Sequence, residues 1–306
     1  KSGLAITARS LNKTYDDGKR AIQALKSVDI DVPVGCIYGL LGPNGAGKST
    51  LINIMAGTVI KSSGNLSIWG TDIDKNPRQS RANIGIVPQE LNIDAFFTPR
   101  ETLDMMAGLF GVPKAERRTD EILHMVGLTE QADFYSRRLS GGMRRRLLVG
   151  KAMVHQPPIL VLDEPTAGVD VALRQRLWDN IKALNNAGVT IVLTTHYLEE
   201  AEALCDQIAI INKGDVITAK KKADLLKSAG YRTVHLNLGK TPEFPLPDSL
   251  NALGATWHDG RLSIRFDPSS STAIDLIGKV KQSGYEVQDI STSDPDLEDV
   301  FLKLTK

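Results

Sequence analysis

A glycine-rich stretch ending in lysine and serine, Gly42-Pro43-Asn44-Gly45-Ala46-Gly47-Lys48-Ser49, has the residue types and spacing to hold nucleotide phosphates. Glycines let backbone amides approach a phosphate where a Cβ would obstruct it. Those amides and the N-terminus of a following helix make an anion nest. Lys48 adds a point charge for the β- and γ-phosphates, the Ser49 hydroxyl can ligate Mg²⁺, and Thr50 stands beside them in the nucleotide site. A second glycine-rich loop, Leu139-Ser140-Gly141-Gly142-Met143, carries no lysine and asks for a second molecule.

The next chemistry-bearing run is Ile159-Leu160-Val161-Leu162-Asp163-Glu164-Pro165. Its apolar part reads as a buried strand that delivers two carboxylates to the strand's C-terminal end, where α/β sheets place ligands. Successive strand side chains point to opposite faces, so the two acids take different tasks. Asp163 is assigned to Mg²⁺, through water, and Glu164 to polarising the attacking water as general base. Ile191–Thr195 is a second buried-strand pattern, and it feeds His196 to the same sheet end. The other histidines, His124, His155, His235 and His258, read as surface or satisfied core.

Short β-rich runs alternate with helical patterns, an α/β layer architecture. Cys36–Leu41 reads as a buried strand entering the first loop, Ser49–Ala56 as a helix stopped by Gly57, and residues 82–88 as a strand ended by proline. From Pro99 to Val154 the pattern is helical, with Leu103, Met106 and Leu109 at helical spacing, so this stretch is an inserted helical subdomain. The strands resume at Ile159–Leu162 and Thr190–Leu193, around a helix bearing Leu173, Leu177, Ile181 and Leu184 and closed by Gly188. Ile208–Asn212 and Val216–Ala219 flank Lys213-Gly214-Asp215, a hairpin pattern. After Lys220-Lys221-Lys222, a solvated linker, the composition shifts. Residues 231–306 read as a small α+β domain with a strand at Leu262–Phe266 and a helix near Ala273–Val280.

In 306 residues, 37 Lys and Arg nearly cancel 36 Asp and Glu, which gives no footprint for nucleic acid. Cys36 and Cys205 match no metal spacing and read as reduced cytosolic thiols. No basic-then-apolar leader opens the chain, and an initial lysine in place of methionine is read as trimming or processing. The apolar runs stop short of the roughly 18 residues that span a bilayer, so a membrane role would be borrowed from another chain. Arg144-Arg145-Arg146, with Arg137 and Arg138 before it, reads as a solvated helix face. Phe96 and Phe97 read as buried core, with partner contact as the second reading.

Taken together, the motifs over residues 4–228 resemble the ABC ATPase family. The resemblance implies an α/β fold: a P-loop (RecA-like) core with an inserted helical subdomain at about 95–157, in a domain of residues 1–228, then a C-terminal α+β accessory domain at 229–306. It implies ATP and Mg²⁺ as cofactors and a homodimer that sandwiches two ATPs. Tyr15 resembles the aromatic that stacks on adenine, and Gln89 the loop glutamine that touches Mg²⁺ and the γ-phosphate. Ser140, Gly141 and Gly142 would bind the γ-phosphate held by the opposite subunit, Ala167-Gly168-Val169-Asp170 would lie at the dimer seam, and His196 would contact the γ-phosphate. Met143 departs from the glutamine common at its position.

The implied function is an ATPase that drives an integral membrane permease from the cytoplasmic face of the cell membrane, as a peripheral subunit and without nucleic acid. Thr194-Thr195-His196-Tyr197-Leu198-Glu199-Glu200-Ala201-Glu202 and Asp296-Leu297-Glu298-Asp299-Val300-Phe301 resemble the bacterial ABC-2-type exporters. An importer ATPase would share every catalytic motif, and a soluble ABC ATPase is the more distant alternative.

Overall fold

The structure is a computed structural model that describes residues 3–16, 18 and 20–305, apart from the side chains of residues 172, 173 and 305. It divides into two compact units, Lys1–Lys220 and Lys221–Lys306. The first runs β1 (Leu4–Asp16), β2 (Ala21–Pro33), β3 (Ile37–Leu41), α1 (Lys48–Ala56), β4 (Ser63–Ile68), β5 (Thr71–Asp72), α2 (Pro77–Ala82) and β6 (Ile84–Val87). It continues through α3 (Pro99–Leu109), α4 (Thr119–Met125), α5 (Gly141–Met153), β7 (Ile159–Asp163), α6 (Val171–Asn186), β8 (Thr190–Thr195), α7 (Leu198–Leu204), β9 (Gln207–Asn212) and β10 (Asp215–Lys221). The second holds α8 (Lys222–Lys227), β11 (Arg232–Leu238), α9 (Asp248–Asn251), β12 (Ala255–His258), β13 (Arg261–Phe266), α10 (Ala273–Gln282), β14 (Val287–Ser293) and α11 (Leu297–Thr305).

The central sheet of the first unit has six strands in the order β10-β9-β3-β8-β7-β6. β3, β9, β8, β7 and β6 pair in parallel. A parallel sheet is covered on both faces, so its strands are apolar throughout. β3 is buried at all its residues, and so is β8. The residue before Pro88 ends β6, and Ala82 belongs to α2, so that strand is shorter than residues 82–88. A second sheet, β2-β1-β4-β5, is antiparallel, with bulges where β1 loses register with β2. Its inward residues, among them Ile6, Leu11, Leu25, Ile30 and Leu66, share one core with Tyr38, Leu51 and Val161.

Between β6 and β7 lie α3, α4 and α5, with their own core of Leu103, Ala107, Ile122, Leu123, Val126 and Leu147. Thr98 and Glu101 form a capping box that starts α3, with Pro99 in its first turn. Leu103 is buried, Met106 packs against this core, and Leu109 is 73% exposed because it lies on the last residue of the helix. α6 carries buried Leu177, Ile181 and Leu184, and the Leu173 side chain lies outside the described residues. Burial and the neighbouring Asp206 charge push the Cys36 thiol up to about 12, and among the described residues neither Cys36 nor Cys205 is in a disulfide.

In the second unit an antiparallel sheet, β12-β13-β11-β14, packs with its helices around Val234, Leu236, Leu262, Ile264 and Val280. Thr272 and Asp275 form the capping box of α10.

The helical subdomain is packed closely at Gly150 of α5, where a Cβ would sit 3.2 Å from Ile122 Cγ2 and 3.3 Å from Leu103 Cδ2. Gly150→Leu should therefore lower stability by about 1–3 kcal/mol through overpacking. Urea denaturation measures this, and an unchanged midpoint would contradict the close fit.

Candidate functional site

Strand register brings the chemistry-bearing residues to one edge. Leu41, which precedes the glycine-rich loop, lies opposite Thr195 of β8 and Ile210 of β9. Asp163 of β7 lies opposite Thr194, and Val87, which leads to Gln89, lies opposite Leu162. The loop, Gln89, Asp163, Glu164 and His196 therefore all follow the C-terminal ends of parallel strands, where such sheets bind ligands.

The loop from Gly42 to Gly47 is clamped by backbone. A Cβ on Gly42 would lie 2.2 Å from Ile211 O, and one on Gly47, where φ is 110°, would lie 2.5 Å from Ala24 O. Only glycine fits either position. Gly214, in the β9–β10 turn, donates its N–H to Ala46 O at 2.9 Å. Pro43, Asn44 and Gly45 are exposed, as is Ser49, while Thr50 is half-buried. Among the described residues no side chain caps α1 at Gly47, so the helix presents its first amides to a ligand.

Lys48 is 5% exposed and donates to Gly42 O at 2.6 Å and Pro43 O at 3.1 Å. Burial pulls its ammonium below the usual lysine value, and the charges of Glu164 and Asp163 act in the opposite direction. The two acids separate at the end of β7. Asp163 Oδ1 accepts from Thr194 Oγ1 at 2.6 Å. Glu164 is 9% exposed and stands on left-handed backbone, φ 47°. Its N–H donates to Thr194 O at 3.2 Å and to Thr194 Oγ1 at 3.0 Å.

The Glu164 carboxylate is held on both sides. Gln89 Nε2 donates to Oε2 at 3.1 Å, and His196 Nδ1 lies 3.1 Å from Oε1. An ionised carboxylate only accepts, so Nδ1 carries the proton. Thr194 is the residue that sequence reasoning missed here. Its hydroxyl accepts from one acid's backbone and donates to the other acid's side chain. The signal was a pair of threonines, Thr194 and Thr195, closing the apolar run Ile191–Leu193 of the strand.

Two expected parts of the site, the Ser140–Gly142 loop and Tyr15, stand apart from this group. Ser140 is the N-cap of α5, where its Oγ accepts from Met143 N at 3.3 Å; Gly141 is exposed and Gly142 buried. Among the described residues, the Ser140–Gly142 loop makes no hydrogen bond to the Lys48, Asp163, Glu164 and His196 group. Met143 packs against the helical core, an apolar task that glutamine would serve poorly. Tyr15, at the end of β1, is 41% exposed beneath Lys13 Nζ, 4.7 Å from the ring centroid. It pairs with Ile22, so it lies along β2 from Ala24, which touches the loop at Gly47.

Two surface expectations are corrected. Arg144, Arg145 and Arg146 are not a solvated face, because consecutive helical residues point about 100° apart and cannot share one. Arg144 donates to Ser136 O and Arg137 O, Arg145 to Pro88 O and Gln89 O, and Arg146 to Val126 O and Gly127 O. Arg145 is 5% exposed, and burial pulls its guanidinium below the usual value. Phe96 and Phe97 are not core: they are 73% and 37% exposed, on the turn before α3.

Residues 25–167 match the family model described as ABC transporter. The chain is 34% identical to the linearmycin resistance ATP-binding protein LnrL of Bacillus subtilis, over 98% of each chain. It is 36% identical to the daunorubicin/doxorubicin resistance ATP-binding protein DrrA of Streptomyces peucetius, over 98% of this chain and 92% of that one. Its fold is similar to a dimeric ATP-binding cassette in a post-hydrolysis state bound to ADP and Pi, with a TM-score of 0.62 and 27% identity over 71% of this chain and 98% of that one.

The Thr194 hydroxyl generates a prediction. Thr194→Val, which keeps the shape and removes the hydroxyl, should destabilise the chain by about 1–3 kcal/mol, and Thr194→Ser should not. Chemical denaturation of both variants checks this, and equal midpoints would contradict the bridging role.

Proposed function

The chain belongs to the ABC transporter family, as an ATP-hydrolysing subunit that powers export, and from that premise we propose a role for each residue of the site. Lys48, with the amides of Gly42, Pro43, Asn44, Gly45, Ala46 and Gly47 and the hydroxyl side chains of Ser49 and Thr50, binds the ATP phosphates. Tyr15 receives the adenine by its ring face. Glu164 is the general base that polarises the attacking water, and His196 and Gln89 orient its carboxylate while contacting the γ-phosphate side. The observation that carries this reading is the pair of 3.1 Å contacts that hold Glu164 between Gln89 and His196.

Mg²⁺ fits the donor set. Among the described residues no group of three or more His, Cys, Asp or Glu side chains forms a cage of its own. A Mg²⁺ ion would accordingly take phosphate oxygens together with Ser49, Gln89 and Asp163, as hard cations at phosphate sites do. When bound it would neutralise charge developing between the β- and γ-phosphates.

ATP-binding cassettes of this family dimerise, as the ADP-bound relative does. We assign Ser140, Gly141 and Gly142 to the ATP of a second copy, with Ala167-Gly168-Val169-Asp170 at the seam. Gly141, exposed at the first position of α5, supports this, since a helix N-terminus attracts phosphate. Among the described residues no helix is long and apolar enough to cross a membrane. An integral membrane permease is the proposed partner, at the cytoplasmic face of the cell membrane, and the exposed Phe96 supports a docking surface there. The resistance proteins among its relatives make an antibiotic the first cargo to test.

Glu164→Gln should reduce ATP turnover by at least about 100-fold while ATP still binds and converts the chain to a dimer. Steady-state hydrolysis and gel filtration with ATP check both parts, with Ser140→Arg as the variant that binds ATP without dimerising. Unimpaired turnover in Glu164→Gln would sink the general-base role, and normal dimerisation of Ser140→Arg would sink the shared site.

A further inference from the structure

Glu200, on α7, is a buried acid that the proposed chemistry leaves unused. It is 1% exposed. Its Oε1 accepts from Thr166 Oγ1 at 2.8 Å and from Trp178 Nε1 at 3.2 Å, and among the described residues its Oε2 has no hydrogen-bond partner. Burying a carboxylate with half its acceptors unmet is costly, and an apolar residue of similar shape would avoid the cost. Packing alone therefore does not account for an acid here.

What Glu200 joins suggests its task. Thr166 is itself 1% exposed and follows Glu164 and Pro165 in the segment that leads to Asp170. Trp178 belongs to α6, which starts directly after Asp170. α7 follows His196 and Tyr197. One carboxylate oxygen thus fastens the segment after the proposed base, the helix that continues it, and the helix after His196.

A second line of contacts runs parallel to the first. Arg174, one turn before Trp178 on α6, donates its backbone N–H to Asp170 O at 2.9 Å. Its guanidinium lies 5.5 Å from the Tyr197 ring centroid. The Tyr197 ring is 4.0 Å from that of His196, and His196 reaches Glu164 at 3.1 Å. α6 therefore meets the segment after His196 at Tyr197, at Glu199, whose Oε2 accepts from Arg174 at 3.2 Å, and at Glu200, which is the buried contact.

We propose that Glu200 is a positioning residue for ATP hydrolysis. By accepting from Thr166 and Trp178 it locks residues 164–170 and α6 to α7, and so holds Glu164 and His196 in their mutual geometry. A displacement of the segment at Asp170 is carried to that pair through it. The inference rests on the reading of Glu164 and His196 as the hydrolytic pair.

The test is steady-state ATP hydrolysis by the full chain. A glutamine carbonyl can still accept both hydrogen bonds, so Glu200→Gln should keep kcat within about threefold. Glu200→Ala should lower kcat by about 10- to 100-fold with KM for ATP within about twofold, the pattern of a misplaced catalytic group. Thr166→Val should lower kcat in the same manner, and should add little to Glu200→Ala because the two act as one unit. If Glu200→Ala fails to fold, Thr166→Val and Glu200→Gln carry the test. Wild-type kcat in folded Glu200→Ala or Thr166→Val would overturn the proposal. A loss confined to KM would overturn it too, as would a Glu200→Gln variant as poor as Glu200→Ala. Failure of the underlying reading has a separate signature, namely turnover surviving in Glu164→Gln.

Discussion

At the end of β7 the backbone turns left-handed at Glu164, φ 47°, a conformation that costs a residue with a side chain roughly 1–2 kcal/mol. Two acceptors on Thr194 hold that turn, and the same hydroxyl donates to Asp163. The consequence is a division of labour between adjacent acids. Asp163 keeps the strand's direction and stays beside β8, while Glu164 swings to meet Gln89 and His196. Without the turn, the two carboxylates would follow ordinary strand alternation and Glu164 would lose both partners. The parallel register of β7 with β8 is what makes it possible, because it sets Asp163 directly against Thr194.

The helical insertion reaches this site by a different route. Its core is its own, and Arg145 ties α5 to the backbone carbonyls of Pro88 and Gln89. A buried guanidinium that lost those acceptors would be strongly disfavoured, so α5 and the Gln89 backbone move together. Gln89 in turn holds Glu164. Motion of the helical subdomain is thereby linked to one side of the proposed base, and motion of α6 and α7 to the other.

Much of this was legible from residue order. Continuous apolar runs identify the buried parallel strands, and each such run that ends in a polar residue marks the sheet edge where chemistry collects; Asp163 and His196 are found that way. The first loop is legible because its glycines answer a steric demand, visible at Gly42 and Gly47 as contacts no Cβ could make. What was not legible depends on partners far along the chain. Thr194 looks like ordinary strand threonine until β7 lies beside it. The arginine triplet looks solvated until loop carbonyls are found against each of its members. The two long strands β1 and β2 escaped notice because bulges break their alternation. Phe96 and Phe97 were expected in the core on hydrophobicity alone, and a short turn before α3 leaves them outside it.

The central claim is that the chemical step depends on Glu164 being held by its neighbours, not merely on its presence. The most direct measurement is single-turnover ATP hydrolysis by His196→Ala, which removes one of the two side-chain contacts and leaves the carboxylate. The account predicts that the rate of the chemical step falls by about 100-fold while ATP affinity changes by less than about twofold. An undiminished single-turnover rate would contradict it.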